Sequence, residues 1–94
     1  EVCPSSNVAL GFAPSPAEHP FRRLREQGLL VTINTDIPAM TGASLTSEYA
    51  LVKDAFGYDD KVLADLAKAG VTASFAPQGI RTRLTAEIDT WLTR

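Results

Sequence analysis

The chain is poor in the residues that usually build metal centres and disulfide frameworks. Cys3 is its one cysteine and His19 its one histidine. A single cysteine excludes an internal disulfide, and a reducing, cytoplasmic setting is the expectation. A single histidine excludes a multi-histidine metal site made from one copy of the chain. No apolar run approaches the roughly 18 residues that a membrane span needs. No signal-peptide pattern is visible in the residues present. Lys and Arg do not cluster beyond Arg22, Arg23 and Arg25, and the net charge is −2, so nothing suggests a nucleic-acid surface. The only methionine is Met40. The chain opens instead on Glu1-Val2-Cys3, which reads as the tail of a strand, so the expectation is a piece of a longer polypeptide.

What is present describes a globular chain. Its 94 residues are 45% hydrophobic and 21% charged, the size of one domain or part of one. The most informative stretch is Val31-Thr32-Ile33-Asn34-Thr35-Asp36-Ile37-Pro38. An apolar, β-branched run, Leu29 to Ile33, stops at Asn-Thr-Asp and predicts a buried strand with a carboxylate at its C-terminal end. In parallel α/β barrels catalytic groups stand at that end of the strands. From spacing alone, Asp36 is open to two roles: ligand for a metal or polar substrate, or cap of the next helix.

Pro4-Ser5-Ser6-Asn7 reads as the exit loop of the first strand, and residues 8–16, broken by one Gly and two Pro, as a loop with room for one helical turn. A helix is predicted from about Ala17 to Gln27, stopped by Gly28. After the strand Leu29 to Asn34 and a loop from Pro38 to Ala43, a second helix is predicted over Leu45–Phe56. Ser44 is its N-cap, and Leu45, Tyr49, Val52 and Phe56 form one stripe. Asp59 or Asp60 caps a third helix to about Ala73, with Val62, Leu63, Leu66 and Val71 inward. Pro77 opens the last, with Ile80, Leu84, Ile88, Trp91 and Leu92 on one face. Strand, helix, strand resembles a βαβ unit. Two strands alone leave faces and edges uncovered, so the residues imply the end of a larger α/β fold.

Five short motifs carry a family resemblance. Glu1-Val2-Cys3-Pro4-Ser5-Ser6-Asn7, Glu18-His19-Pro20-Phe21-Arg22-Arg23-Leu24, Asn34-Thr35-Asp36, Ser44-Leu45-Thr46-Ser47-Glu48-Tyr49 and Ala73-Ser74-Phe75 resemble, in order, segments of adenosine deaminases, especially bacterial ones. The likeness covers nearly all of the chain. It implies an α/β fold: the last two β/α units and the C-terminal helices of a (β/α)8 TIM barrel of the amidohydrolase type. Residues 1–94 would be the C-terminal part of one such domain. The implied activity is hydrolytic deamination of adenosine or a related aminopurine, giving the 6-oxo product and ammonia. The implied cofactor is Zn2+, which activates a water, with Asp36 as a zinc ligand and catalytic residue. The family's histidine ligands and acid–base residues lie on strands that this chain does not contain, so the chain alone is expected to be inactive. Its expected partners are the purine nucleoside and either the rest of the barrel or further copies of itself.

The chain also departs from the family pattern. Ile37 stands where the family has a purine-binding Asp, Thr41 where an aromatic is usual, and Ala69 where Asn is common. Ile37 cannot hydrogen-bond through its side chain. An alternative reading follows from it: a relative of altered or lost activity, serving as a binding or scaffold protein. His19, just before Pro20, is expected to cap the following helix or lie on the surface. Cys3 is expected to be buried and inert. Ser5 and Ser6 lack a nearby base for nucleophilic chemistry.

Overall fold

The computed structural model describes residues 1–94 and contains six helices: α1 (Pro4–Ala9), α2 (Phe21–Glu26), α3 (Pro38–Thr41), α4 (Leu45–Phe56), α5 (Asp60–Ala73) and α6 (Gln78–Leu92). It contains no strand, and this corrects the α/β expectation. The two segments predicted as strands do approach in parallel, but they share one isolated bridge, Val2 to Ile33. Val2 N–H donates to Thr32 O, and Asn34 N–H donates to Val2 O, both at 2.8 Å. The ladder cannot lengthen. Pro4 has no N–H and starts α1 at its first position, where its fixed φ suits a helix. On the other side, Leu29 and Leu30 are more than half exposed rather than buried.

Two other expectations shift for local reasons. The presumed exit loop at Pro4 to Asn7 is helical. The helix expected from Ala17 begins only at Phe21, after a turn in which Glu18 and His19 donate back to Ser15 and Pro16. The stretch from Pro38 contains the short α3, closed by Gly42 at φ +72°.

Two of the three C-terminal helices, α4 and α5, start on side-chain caps, and α6 follows Pro77 without one. Ser44 Oγ accepts Ser47 N–H, and Ser47 Oγ accepts Ser44 N–H, a reciprocal capping box. Gly57 ends α4 in the left-handed region, φ +67°. Asp59 Oδ1 accepts Val62 N–H at 2.9 Å to start α5. Ion pairs then tie the helices: Lys68 to Asp89 joins α5 to α6, and Asp60 receives both Lys53 and Arg94 at 3.3 Å.

The core gathers Val2, Phe21, Val31, Ile33, Val52, Phe56 and Leu66. Phe21 is fully buried and stacks on Phe56 with centroids 5.8 Å apart. Such a pair adds about 0.5–1.5 kcal/mol beyond its buried area. The bridge, α2 and α4 thus hold the 1–7 and 31–37 segments against one another. The stripe on α6 is different: none of its residues is buried. Leu84, Ile88 and Trp91 face Leu45, Tyr49 and Leu63 across an open groove of about 480 Å3.

Candidate active site

Asp36 follows the bridged segment directly. Its φ is +61°, and it is the one non-glycine residue in the left-handed region. Ile37 N–H donates to Thr35 O at 2.8 Å, which closes a three-residue turn around Asp36. A γ-turn of this hand is rare and strained, and such strain concentrates at functional sites. The turn leaves Asp36 exposed. Its Oδ2 accepts the Ser6 hydroxyl at 2.7 Å, across thirty residues of sequence. The side chain does not cap the next helix: α3 has Ile37 at its N-cap position and no side-chain cap bond. Of the two roles open to Asp36 from its spacing, the structure removes the cap.

The partner in that bond comes from the first turn of α1, and a second carboxyl group reaches the same turn. Glu48, on α4, is fully buried and accepts Ser5 N–H on Oε2 at 3.1 Å. No role for Glu48 was expected from the sequence. The signal was present: Glu48 is three residues after Leu45 and four before Val52, so a carboxyl group lies on the apolar stripe of α4.

His19 lies away from Asp36. It is 9% exposed, which corrects the surface alternative. Its Nδ1 accepts Phe21 N–H at 3.0 Å, the first free donor of α2, so the capping expectation holds. With Nδ1 accepting, the proton is on Nε2, which lies 2.9 Å from Asn7 Oδ1. The same Oδ1 accepts Cys3 N–H at 3.2 Å. Burial pulls the His19 pKa below its ordinary value and keeps the ring neutral. Cys3 is half-buried, and its thiol pKa is raised, first by burial and next by the charge of Asp36. It is thereby held as the unreactive thiol.

Thr41 bonds locally, donating to Ile37 O and accepting Ala43 N–H, both at 3.3 Å. Ile37 is half-buried beside Asp36, and Ala69 lies on α5. Nowhere do three or more His, Cys, Asp or Glu side chains gather as a group that could hold a metal ion. The donor set therefore fits one ligand position and no more. It is a single exposed carboxylate with one oxygen fixed by a hydroxyl, the kind of outer hydrogen bond that orients metal-binding carboxylates.

Residues 1–91 match the family model described as adenosine deaminase. The chain is 40% identical over 92 residues to a putative adenosine/adenine deaminase of Streptomyces coelicolor, covering 98% of this chain and 27% of that protein. It is 45% identical over 91 residues to an aminodeoxyfutalosine deaminase of the same organism, covering 97% and 24%. It is 42% identical over 88 residues to an adenine deaminase of Rhizobium leguminosarum, covering 94% and 27%. The crystal structure of an adenine deaminase from Arthrobacter aurescens superposes with a TM-score of 0.95 at 29% identity, over 99% of this chain and 28% of that one. The chain thus spans about a quarter of the length of these relatives, matching their C-terminal part. With a family match over residues 1–91 and a fold shared almost end to end, the chain belongs to the adenosine deaminase family.

Proposed function

We propose that this chain supplies one carboxylate ligand, Asp36, to the metal centre of a hydrolytic purine deaminase. Residues 1–94 act as the C-terminal part of a single deaminase domain, and the chain alone is inactive. The metal is zinc, which when bound lowers the pKa of a water and makes it a nucleophile at neutral pH. The substrate is adenosine or a related aminopurine, released as the 6-oxo compound with ammonia. The observation that carries this reading is the pairing of a strained turn with a fixed carboxylate: Asp36 at φ +61° with Oδ2 held by Ser6. The turn makes no helix cap and no salt bridge, and it presents the carboxylate exposed at the end of the bridged segment, which supports a ligand role.

Within that site Ser6 orients the Asp36 carboxylate. His19 and Asn7 fix the 3–7 segment and take no part in the chemistry. The relatives' names divide between adenosine/adenine deaminase and aminodeoxyfutalosine deaminase. Ile37, next to Asp36 where the resemblance puts a purine-binding Asp, bears on the substrate in this reading. It also favours the second reading, a relative of altered activity acting as a binding or scaffold protein. The lone cysteine supports a cytoplasmic setting, and no helix is long and apolar enough to cross a membrane.

The test is Asp36→Asn in the complete deaminase that contains this segment. Asn tolerates the left-handed backbone, so the turn survives. Loss of bound zinc and of adenosine turnover together is the expected result. Stoichiometric zinc in that variant rules out Asp36 as a ligand.

A further inference from the structure

Glu48 is the buried acidic group that the proposed chemistry leaves unused. It is 0% exposed, and its Oε1 has no hydrogen-bond partner. A buried carboxyl oxygen without a donor destabilises a fold, so its retention needs a reason. Packing does not supply one, because an apolar side chain of similar volume would fill that stripe position better. Its one hydrogen bond does. Oε2 accepts the N–H of Ser5, the residue next to Ser6. Two acidic side chains, 43 and 30 residues away in sequence, therefore meet consecutive residues in the first turn of α1. Glu48 takes the backbone of Ser5, and Asp36 takes the hydroxyl of Ser6. The helix has no side-chain cap of its own, and Pro4 brings no donor. Glu48 thus fixes this turn at Ser5 from outside, beside the His19–Asn7 bond that holds the same segment, and it is the external group bonded to the residue next to Ser6.

We propose that Glu48 is a positioning residue for Asp36, acting through Ser5 and Ser6. It holds the first turn of α1 where Ser6 keeps the Asp36 carboxylate in the orientation that ligates. This rests on the reading of Asp36 as a metal ligand. Outer hydrogen-bond partners of metal ligands are worth about 10–100-fold in metal affinity, and Glu48 acts one step further out.

The experiment measures zinc affinity by chelator competition in the complete deaminase, with thermal stability and hydrogen exchange over residues 4–9 followed in parallel. Glu48→Met fills the site without an acceptor. It is expected to lower zinc affinity about tenfold and speed exchange in α1, even where the melting temperature is unchanged or higher. Glu48→Gln keeps an acceptor for Ser5 N–H and is expected to restore both. Ser6→Ala should lower affinity as Glu48→Met does, and the double variant should be no worse than Ser6→Ala alone, because both act on one path. Unchanged affinity in Glu48→Met, or fully additive losses in the double variant, would overturn the proposal. Asp36→Asn run beside them separates the two claims. If it keeps zinc, the ligand reading fails. If it loses zinc while Glu48→Met does not, only the positioning role fails.

Discussion

His19 holds Asn7, Nε2 to Oδ1 at 2.9 Å, and through that one bond the turn before α2 fixes the segment that carries Ser5 and Ser6. The ring is neutral because burial lowers its pKa below 6.5. The folded state therefore binds a proton less readily than the unfolded chain. The resulting stabilisation is fully present above the unfolded value of 6.5 and is lost as pH falls from there through the lowered folded value. Urea unfolding of the complete deaminase between pH 5 and 8 should show stability rising with pH up to about 6.5, and His19→Ala should flatten that rise. The substitution should cost about 1–3 kcal/mol, since it orphans Phe21 N–H and leaves Asn7 Oδ1 with only the Cys3 N–H. Any change in zinc affinity should be no larger than that of Ser6→Ala, because His19 reaches Asp36 only through the segment that carries Ser6; a loss as complete as that of Asp36→Asn would place His19 in the metal centre.

Asp36 separates backbone from chemistry. Asp36→Ala places an alanine at φ +61°, and such strain costs of order 1–3 kcal/mol. Asp36→Asn avoids that strain. With the metal removed from all three proteins, the Asn variant should melt close to the parent, whereas the Ala variant should melt lower, and neither variant should take up zinc. Calorimetry beside metal analysis checks this; equal melting of the two variants would show that the turn is not strained.

Ile37 should weaken purine binding relative to an aspartate there. A lost or unsatisfied polar contact costs on the order of 1–3 kcal/mol, roughly five- to 150-fold in affinity. Ile37→Asp in the complete deaminase should lower the Michaelis constant for adenosine by a factor in that range. A constant that stays put or rises means that Ile37 suits another substrate, and the altered-activity reading gains.

Phe21 carries much of the core. It is fully buried against Phe56 and Tyr58. Phe21→Ala should destabilise by about 3–5 kcal/mol, read as a lower urea midpoint at unchanged slope. A loss under about 1 kcal/mol would mean that the pocket collapses around the missing ring.

The 94-residue chain by itself should associate and should not deaminate adenosine. Phe12 is 77% exposed, Met40 82%, and Phe75 entirely. The groove beside Trp91 adds further apolar surface. Light scattering at micromolar concentration should report species larger than a monomer, because apolar area of this extent is rarely left uncovered. An ultraviolet assay with added zinc should show no turnover above blank, and zinc-dependent turnover by a pure preparation would sink this expectation.

The sequence by itself determined what depends on residues within a turn or two of one another. Ser44 and Asp59 (with Asp60 as the alternative in the sequence) mark the starts of α4 and α5 because capping bonds close over three residues, Gly57 marks the end of α4, and Pro77 precedes α6 without a side-chain cap. The five short motifs likewise identified the family without any contact being known. Tertiary structure decided what depends on neighbours remote in the chain. Leu29 to Asn34 has the composition of a strand, but a strand exists only where a partner runs beside it. Pro4 turns that partner into a helix after Val2, and one bridge remains. The bond from Ser6 to Asp36 and the burial of Glu48 on Ser5 could not be read from spacing. Those residues are 30 and 43 positions apart, and only the packing of α1 against α3 and α4 brings them together.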